Sequence, residues 1–158
     1  MSEKDFLAHL QEHQRIIFKL VNIYARNADD KKDLQQEIIL QAWKSYANFK
    51  GEAKFSTWLY RLSLNTIFTM QRRPATVQYR DDLETLHYTT TPFVARENAD
   101  LLYNALKQLD DAEKAVISLH LEGYDHQEIA DIIGITTNLV AVKIHRAKQK
   151  LSQILKKI

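Results

Sequence analysis

The sequence predicts an all-α protein with two small helical domains joined by a flexible linker, the second domain carrying a helix-turn-helix. Glycine and proline are rare, with three and two copies in 158 residues, and each falls between segments with a periodic apolar pattern. Within those segments apolar residues recur at spacings of three, four and seven, which is typical of amphipathic helices. No stretch shows the sustained alternation that predicts a strand.

Three helices are predicted in the first domain. Apolar spacing indicates a helix over residues 4–26. Asp33 is expected to cap a second helix, because a short polar side chain precedes an apolar stripe there. Ser56 or Thr57 is expected to cap a third helix, which must end before Pro74 because the residue preceding proline disfavours helical geometry.

Residues 75–96 lack a helical stripe and include a run of threonines, so we expect them to form a linker. Structureless loops of this length are uncommon inside compact domains. The linker therefore divides the chain into a domain over residues 1–74 and a domain over residues 97–158. A long ordered loop inside a single domain is the alternative.

The second domain contains the spacing of a helix-turn-helix. Asp125 and Glu128 have the pattern of a capping box at the start of its first helix. Ala130, Gly134 and Val140 then occupy relative positions zero, four and ten. They supply a small residue where the helices cross, a turn residue tolerant of positive φ, and an inward-facing apolar residue.

The second helix of this motif, beginning at Thr136 or Thr137, has a strongly basic outer face. From Ala141 to the end of the sequence there are six basic residues and no acidic one, so a polyanion is the expected partner. Early residues of such a helix reach base edges, and later cations reach phosphates. The outward-facing residues are Thr137, Asn138, Ala141, Lys143, His145, Arg146 and Lys148. The alternative is a packed helical hairpin with a solvated basic face.

A second motif, KFSTWLYRLSLNT, lies on the third predicted helix. Trp58 occurs there with Arg61 and Asn65, which are four residues apart and share a helix face. Aromatic, cationic and amide side chains together suit single-stranded DNA, because bases stack on aromatic rings while cations hold phosphates. Taken by themselves, the residues favour core packing for Phe55 and Trp58.

Together these segments resemble the short, two-domain extracytoplasmic-function group of bacterial sigma factors, over nearly the full chain. DKKDLQQEIILQAW resembles the family's segment that binds core RNA polymerase. FKGEAKFSTWLYRLSLNTIFTMQRR resembles the adjoining helix that grips the −10 promoter element. EGYDHQEIADIIGITTNLVAVKIHRAKQKL resembles the helix-turn-helix that reads the −35 element. The last block alone is moderately specific, whereas all three in this order are highly specific.

The resemblance implies a function in transcription initiation. The protein would bind the β′ and β subunits of core RNA polymerase, direct the enzyme to promoter DNA and aid strand opening. It would need no cofactor and would not itself be an enzyme. An anti-sigma factor is the expected regulatory partner, and the free protein is expected to be a cytoplasmic monomer.

The resemblance also assigns three sets of site residues. The polymerase-binding set is Asp33, Leu34, Gln36 and Glu37, of which Leu34 would pack inward. The −10 set is Phe55, Trp58, Arg61, Asn65, Arg72 and Arg73, where the two final arginines would hold phosphate and a flipped base would lie in a nearby pocket. The −35 set is Thr137, Asn138, Ala141, Val142, Lys143, His145, Arg146 and Lys148.

One part of the recognition helix departs from the family. Residues 139–142, LVAV, are apolar at two sites where the family usually has polar residues, so we expect fewer hydrogen bonds to bases. Either Ala141 and Val142 contact thymine methyl groups, or DNA shape carries more of the specificity. A degenerate homologue that binds polymerase without starting transcription is a further alternative.

Two other classes of protein have some support. His9, Glu12 and His13 match the H-x-x-E-H pattern of inverted zinc peptidases, but no third ligand is marked. A free-standing helix-turn-helix regulator would form a stable dimer and bind duplex DNA without polymerase. The sequence has no cysteine, no signal-peptide pattern and no apolar run of transmembrane length, which favours a cytoplasmic protein without membrane insertion.

Overall fold

The computed structural model describes residues 3–72 and 93–156, and over these residues the chain forms seven helices and no strand. They are α1 (Glu3–Tyr24), α2 (Ala28–Tyr46), α3 (Phe55–Arg72), α4 (Phe93–Leu106), α5 (Asp111–Leu121), α6 (His126–Ile133) and α7 (Thr137–Lys156). The helices fall into two compact units, α1–α3 and α4–α7. This confirms the predicted all-α class with two helical domains.

The predicted linker over residues 75–96 lies mostly outside the described residues. Its last residues are an exception, because α4 begins at Phe93 rather than near Arg96. Proline immediately before this start is compatible with it, since the first residues of a helix need no backbone N–H partner.

The first unit is a three-helix arrangement in which α1, α2 and α3 all contact one another. Each helix contributes one apolar stripe to a shared core, so its opposite face stays in solvent. The fully buried core side chains include Leu20, Leu34, Ile38, Leu59 and Ile67. Because α2 and α3 lie side by side, their polar faces meet along a groove at the surface.

The start of α2 differs from the prediction. Asn27 is the N-cap, and its Oδ1 accepts a hydrogen bond of 2.8 Å from the backbone N–H of Asp30. The predicted cap, Asp33, therefore lies inside the helix. The error has a simple cause, because the apolar stripe begins only at Leu34 and the polar turn before it gives no periodic signal.

The predicted caps of α3 are also wrong. The helix begins at Phe55, and the backbone N–H of Trp58 donates to the carbonyl oxygen of Lys54 at 3.0 Å. Ser56 and Thr57 therefore lie in the first turn. Lysine is not a preferred N-cap residue, so cap preferences favoured the nearby hydroxyl side chains instead.

A break in α1 occurs at His13, whose backbone is not helical (φ −114°, ψ 15°). The side chain compensates locally, because its Nδ1 lies 3.0 Å from the carbonyl oxygen of His9. Apolar spacing alone predicted one continuous helix over residues 4–26.

In the second unit α5 contacts α6 and α7, while α4 contacts α7. Its fully buried core includes Val116, Leu119, Ile129, Val140 and Ala147. The predicted capping box at Asp125 and Glu128 is confirmed, with hydrogen bonds of 2.8 and 2.9 Å. A second capping box, at Asp110 and Glu113, starts α5. Local hydrogen bonds therefore define the starts of both helices.

The turn of the helix-turn-helix has the predicted chemistry. Gly134 ends α6 in the left-handed region with φ of +88°, a conformation that costs a side chain with a Cβ atom. The hydroxyl of Thr136 then accepts a hydrogen bond of 3.1 Å from the backbone N–H of Leu139 at the start of α7. This fixes the direction in which α7 leaves the turn.

Candidate polymerase and nucleic-acid interfaces

The outer face of α2 presents part of the predicted polymerase-binding set. Asp33 and Gln36 are exposed, while Leu34 is fully buried and supports the helix from beneath without reaching a partner. Leu40 and Trp43 continue the exposed face at helical spacing, with 44% and 46% of their surface accessible. The sequence analysis missed these two, because apolar residues at helical spacing are usually core.

The groove between α2 and α3 contains a cavity of about 450 Å³. Trp58, Arg61 and Asn65 all line it, so the structure brings together the central residues of the predicted −10 set. The α2 wall is formed by Glu37, Gln41 and Ser45, and the remaining lining residues are Leu62, Thr66, Thr69 and Met70. One aromatic ring, one cation, one carboxylate and two amides therefore line a single concave site.

Glu37 lies on the cavity side of α2. Its Oε2 accepts a hydrogen bond of 2.8 Å from Nε2 of Gln41, and the side chain is half-buried. This bond orients the side-chain amide of Gln41, which also lines the cavity. Sequence reasoning assigned Glu37 to the polymerase face with Asp33 and Gln36, whereas its contacts are with the groove.

Phe55 has a different position from the other −10 residues. Only 6% of its surface is exposed, and its ring stacks on His9 with centroids 4.8 Å apart and an interplanar angle of 16°. Tyr46, Phe49 and Trp58 surround it within 6.4 Å. Burial leaves little of the Phe55 ring accessible, and its predicted contact with DNA stays a prediction. The ring supports Trp58 from behind.

The basic end of α3 is described only in part. Arg72 is the last residue of the helix and is exposed, which suits a phosphate contact. Arg73, the other predicted phosphate-binding residue, lies outside the described residues.

The crossing of α6 and α7 follows the helix-turn-helix pattern. Ala130 is 5% exposed, and Val140 is fully buried on the inner face of α7. Ile144 and Ala147 continue this buried stripe, as predicted, while Leu151 is half-buried. The exposed residues on the opposite face of α7 are therefore accessible to a ligand.

Most residues predicted to contact the −35 element are exposed on α7. They are Thr137, Asn138, Ala141, Val142, His145, Arg146 and Lys148, whereas Lys143 is half-buried. Leu139 is 39% exposed and joins Val142, which is 42% exposed, as an apolar residue on this otherwise polar surface. Sequence reasoning placed Val140 inward and Ala141 outward and assigned Val142 to the −35 set, but it did not identify Leu139 as exposed.

One exposed cation of α7 is paired with a buried carboxylate of the same unit. Nζ of Lys150 lies 2.9 Å from Oε1 of Glu113, whose side chain is only 4% exposed. The same carboxylate oxygen accepts the backbone N–H of Asp110 at 3.1 Å in the capping box of α5. Lys150 therefore neutralises a buried charge, which separates it from the outward-facing Arg146.

His120 lies near the basic surface of α7. Burial lowers the pKa of its imidazole below the ordinary value, and the neighbouring Lys148 and His126 lower the pKa further. The folded unit therefore favours the neutral ring, since a proton there meets both desolvation and nearby positive charge.

Neither a metal site nor a membrane-spanning helix is found among the described residues. His9 and His13 of the H-x-x-E-H pattern have their rings against Phe55, and across residues 3–72 and 93–156 no three His, Cys, Asp or Glu side chains are grouped to hold a metal. Within the same ranges no helix has the length and apolar character needed to cross a bilayer.

Family comparisons agree with this two-unit arrangement. Residues 9–76 match Sigma-70 region 2, and residues 99–151 match Sigma-70 region 4. The first match contains the α2–α3 groove, and the second contains α5, α6 and most of α7. These features define a sigma-70-type transcription initiation factor.

The curated relatives are themselves sigma factors. RNA polymerase sigma factor SigV of Bacillus subtilis is 27% identical, and the match covers 87% of this chain and 83% of the relative. ECF RNA polymerase sigma-E factor of Haemophilus influenzae is 27% identical over 94% of this chain and 86% of its own. ECF sigma factor SigG of Mycobacterium tuberculosis is 30% identical over 95% of this chain, but only 48% of its own length. The chain belongs to the extracytoplasmic-function (ECF) group of RNA polymerase sigma factors.

Solved structures share the fold. The structure of CnrH in complex with the cytosolic domain of CnrY has a TM-score of 0.71 at 22% identity, covering 99% of this chain and 90% of that chain. The sigma factor RpoE of Bartonella quintana, crystallised with the anti-sigma factor NepR, has a TM-score of 0.67 at 18% identity, covering 98% and 96%.

Proposed function

We infer that the protein binds core RNA polymerase and directs it to promoters by recognising −10 and −35 elements and aiding strand opening. The observation that carries this function is the match to Sigma-70 regions 2 and 4 in one chain. The protein acts by binding, and the chemistry of RNA synthesis belongs to the polymerase. We propose residues 1–74 and 97–158 as its two domains, joined by a linker over residues 75–96 whose last four residues begin α4.

The proposed polymerase interface is the exposed face of α2. Asp33 and Gln36 supply polar contacts, and Leu40 and Trp43 supply apolar area that binding would remove from water. Exposed aromatic and aliphatic side chains beside a carboxylate form the mixed surface typical of protein interfaces. The partner surfaces lie on the β′ and β subunits of the core enzyme.

The proposed −10 site is the α2–α3 groove. Trp58 offers a face on which an unstacked base can stack, Arg61 offers charge to the backbone, and Asn65 offers an amide to a base edge. A concave site of this kind suits a separated strand, because the base edges and faces of a duplex are already paired and stacked. Arg72 and Arg73 would hold phosphates beyond it.

The proposed −35 site is the outer face of α7. Its early residues Thr137 and Asn138 would approach base edges, while Arg146 and Lys148 would contact the DNA backbone. A protruding helix fits the major groove of intact duplex DNA. The two sites would therefore bind different states of the same promoter.

An anti-sigma factor is the proposed regulatory partner, and the free protein is a cytoplasmic monomer in this proposal. The structurally similar sigma factor RpoE was crystallised with the anti-sigma factor NepR, and the structurally similar CnrH was solved in complex with the cytosolic domain of CnrY. The exposed apolar residues Leu40 and Trp43 give a partner a surface that would compete with polymerase.

A pull-down of core polymerase tests the interface with matched double variants. Asp33→Arg with Leu40→Arg should abolish co-purification, because it places two cations on the proposed contact face. Glu12→Arg with Leu7→Arg changes one exposed acid and one exposed leucine on α1, and should leave co-purification intact. Equal recovery of polymerase with both variants, each folded by circular dichroism, would rule out this face.

A further inference from the structure

Val142 lies at the centre of the outer face of α7. Asn138, Val142 and Arg146 are four residues apart and therefore share one helix face, opposite the buried stripe that includes Val140. Val142 is 42% exposed, and Leu139 beside it is 39% exposed. An apolar pair thus occupies the position from which a recognition helix reads base edges.

The surroundings of this pair favour DNA as the occupant. The helix α7 has no acidic residue from Thr137 to Lys156, and its exposed cations Arg146 and Lys148 lie on the outward side. A protein partner could bury the same apolar surface, but it would also have to carry negative charge opposite these cations. DNA supplies this negative charge, because a phosphate backbone runs along each side of its groove.

The base that suits an apolar pair is thymine. In the major groove only thymine presents a methyl group, whereas the other bases present hydrogen-bond donors and acceptors. Valine placed against those polar edges would remove water without replacing its hydrogen bonds, which is costly. Against a methyl group the same contact is favourable, since both surfaces are apolar.

We propose that Val142, with Leu139 beside it, reads the 5-methyl group of a thymine within the −35 element. This rests on the proposed function, because it requires α7 to enter the major groove at that element. Arg146, one turn further along, holds an adjacent phosphate and sets the depth of Val142. The specificity of the −35 site then comes from methyl contact rather than from hydrogen bonds made by residues 139–142.

The test removes only that methyl group. A promoter transcribed by the reconstituted holoenzyme is prepared with each −35 thymine replaced in turn by deoxyuridine, and holoenzyme affinity is measured by competition. One or two positions should lose affinity about fourfold, the change that burial of one methyl group corresponds to. With Val142→Ala the penalty at those positions should disappear, because the contacting side chain is gone.

Leu155→Ala is the matched control, since it truncates another leucine of α7 that is 40% exposed but lies at the far end of the helix. Its holoenzyme should retain the full deoxyuridine penalty. Transcription with no deoxyuridine penalty at any −35 thymine overturns this inference alone. An unchanged deoxyuridine penalty in the Val142→Ala holoenzyme also overturns it, because another residue would then contact the methyl group. Failure of the wild type to transcribe any promoter overturns the proposed function as well.

Discussion

The α2–α3 groove and the outer face of α7, the two proposed nucleic-acid surfaces, have opposite shapes. The groove is concave, with Trp58, Arg61 and Asn65 around a cavity of about 450 Å³. The face of α7 is convex, with Arg146 and Lys148 projecting outward and a buried stripe beneath. The first can enclose a base taken out of its stack, and the second can enter a groove of paired DNA.

This difference in shape suggests how one small chain could bind a promoter both as a separated strand and as a duplex. An aromatic cluster supports the groove from behind, through Phe55 stacked on His9 and packed against Trp58. The face of α7 depends instead on local capping at Asp125 and on the turn at Gly134, which together fix the helix direction. Enclosing a base requires tertiary packing, whereas presenting a helix requires well-defined helix ends.

Asn65→Ala is expected to have the largest effect, and that effect should be confined to the α2–α3 groove. Loss of the amide should reduce strand opening about tenfold, within the range for losing a hydrogen-bonded base contact, while binding of closed duplex should hardly change. Permanganate reactivity of promoter thymines measures the opening. Asn104→Ala, an exposed asparagine on α4, is the control and should open normally. Unchanged reactivity for Asn65→Ala would remove this residue from the −10 site.

Arg146→Ala should affect the other surface. If Arg146 neutralises one phosphate, the slope of log affinity against log salt should decrease by about one, and duplex affinity should fall. Lys150→Ala removes a cation from the same helix but should leave the slope nearly unchanged, since Lys150 is paired with Glu113. It should instead lower the free energy of unfolding by about 1 kcal/mol, because the buried carboxylate loses a hydrogen bond. Equal slopes for the two variants would contradict this division of roles.

A buried serine in each unit allows the stability of the two cores to be compared, through Ser63→Ala and Ser118→Ala. Ser63 is fully buried on α3, and its hydroxyl has no hydrogen-bond partner within residues 3–72 and 93–156. Its removal should raise the free energy of unfolding by about 1 kcal/mol, because an unsatisfied buried group is costly and alanine favours helix. Ser118 is buried in the second unit but donates to the carbonyl oxygen of Ala115 at 3.0 Å. Denaturant titration should show no gain for Ser118→Ala, and a gain equal to that of Ser63→Ala would contradict the argument.

His120 gives the smallest predicted effect, confined to the second unit. Its pKa is lowered in the folded state by burial and by nearby positive charge, whereas the unfolded chain has the ordinary value of about 6.5. As pH falls through this ordinary value the unfolded state takes up the proton more readily, so the free energy of unfolding decreases. His120→Gln should weaken this dependence in titrations at pH 7.5 and pH 5.5. An identical dependence in the variant would show that other groups cause it.

Features set by neighbouring residues were predictable from the sequence. The capping box at Asp125 and Glu128, the turn at Gly134 and the inward position of Val140 depend on residues at most ten positions apart. The apolar stripes of the helices follow from their periodicity in the same way. The start of α2 at Asn27 was missed because its first turns are polar and carry no periodic signal.

Features set by tertiary contacts were not predictable. The pairing of Lys150 with Glu113 joins residues 37 positions apart, and the cavity exists only where the polar faces of α2 and α3 meet. Exposure of Trp43 depends on how far a neighbouring helix covers its ring. Periodicity identifies a buried face but gives no measure of how far a neighbouring helix extends over it.

Run-off transcription tests the central claim most directly. The purified protein is added to core RNA polymerase and a pool of genomic promoter fragments, and the start sites of the products are aligned. Discrete transcripts whose promoters share a −10 and a −35 element are the predicted result. Polymerase binding without transcripts from any fragment would contradict the account and favour a degenerate homologue. No polymerase binding, together with tight duplex binding by a stable dimer, would favour a free-standing regulator.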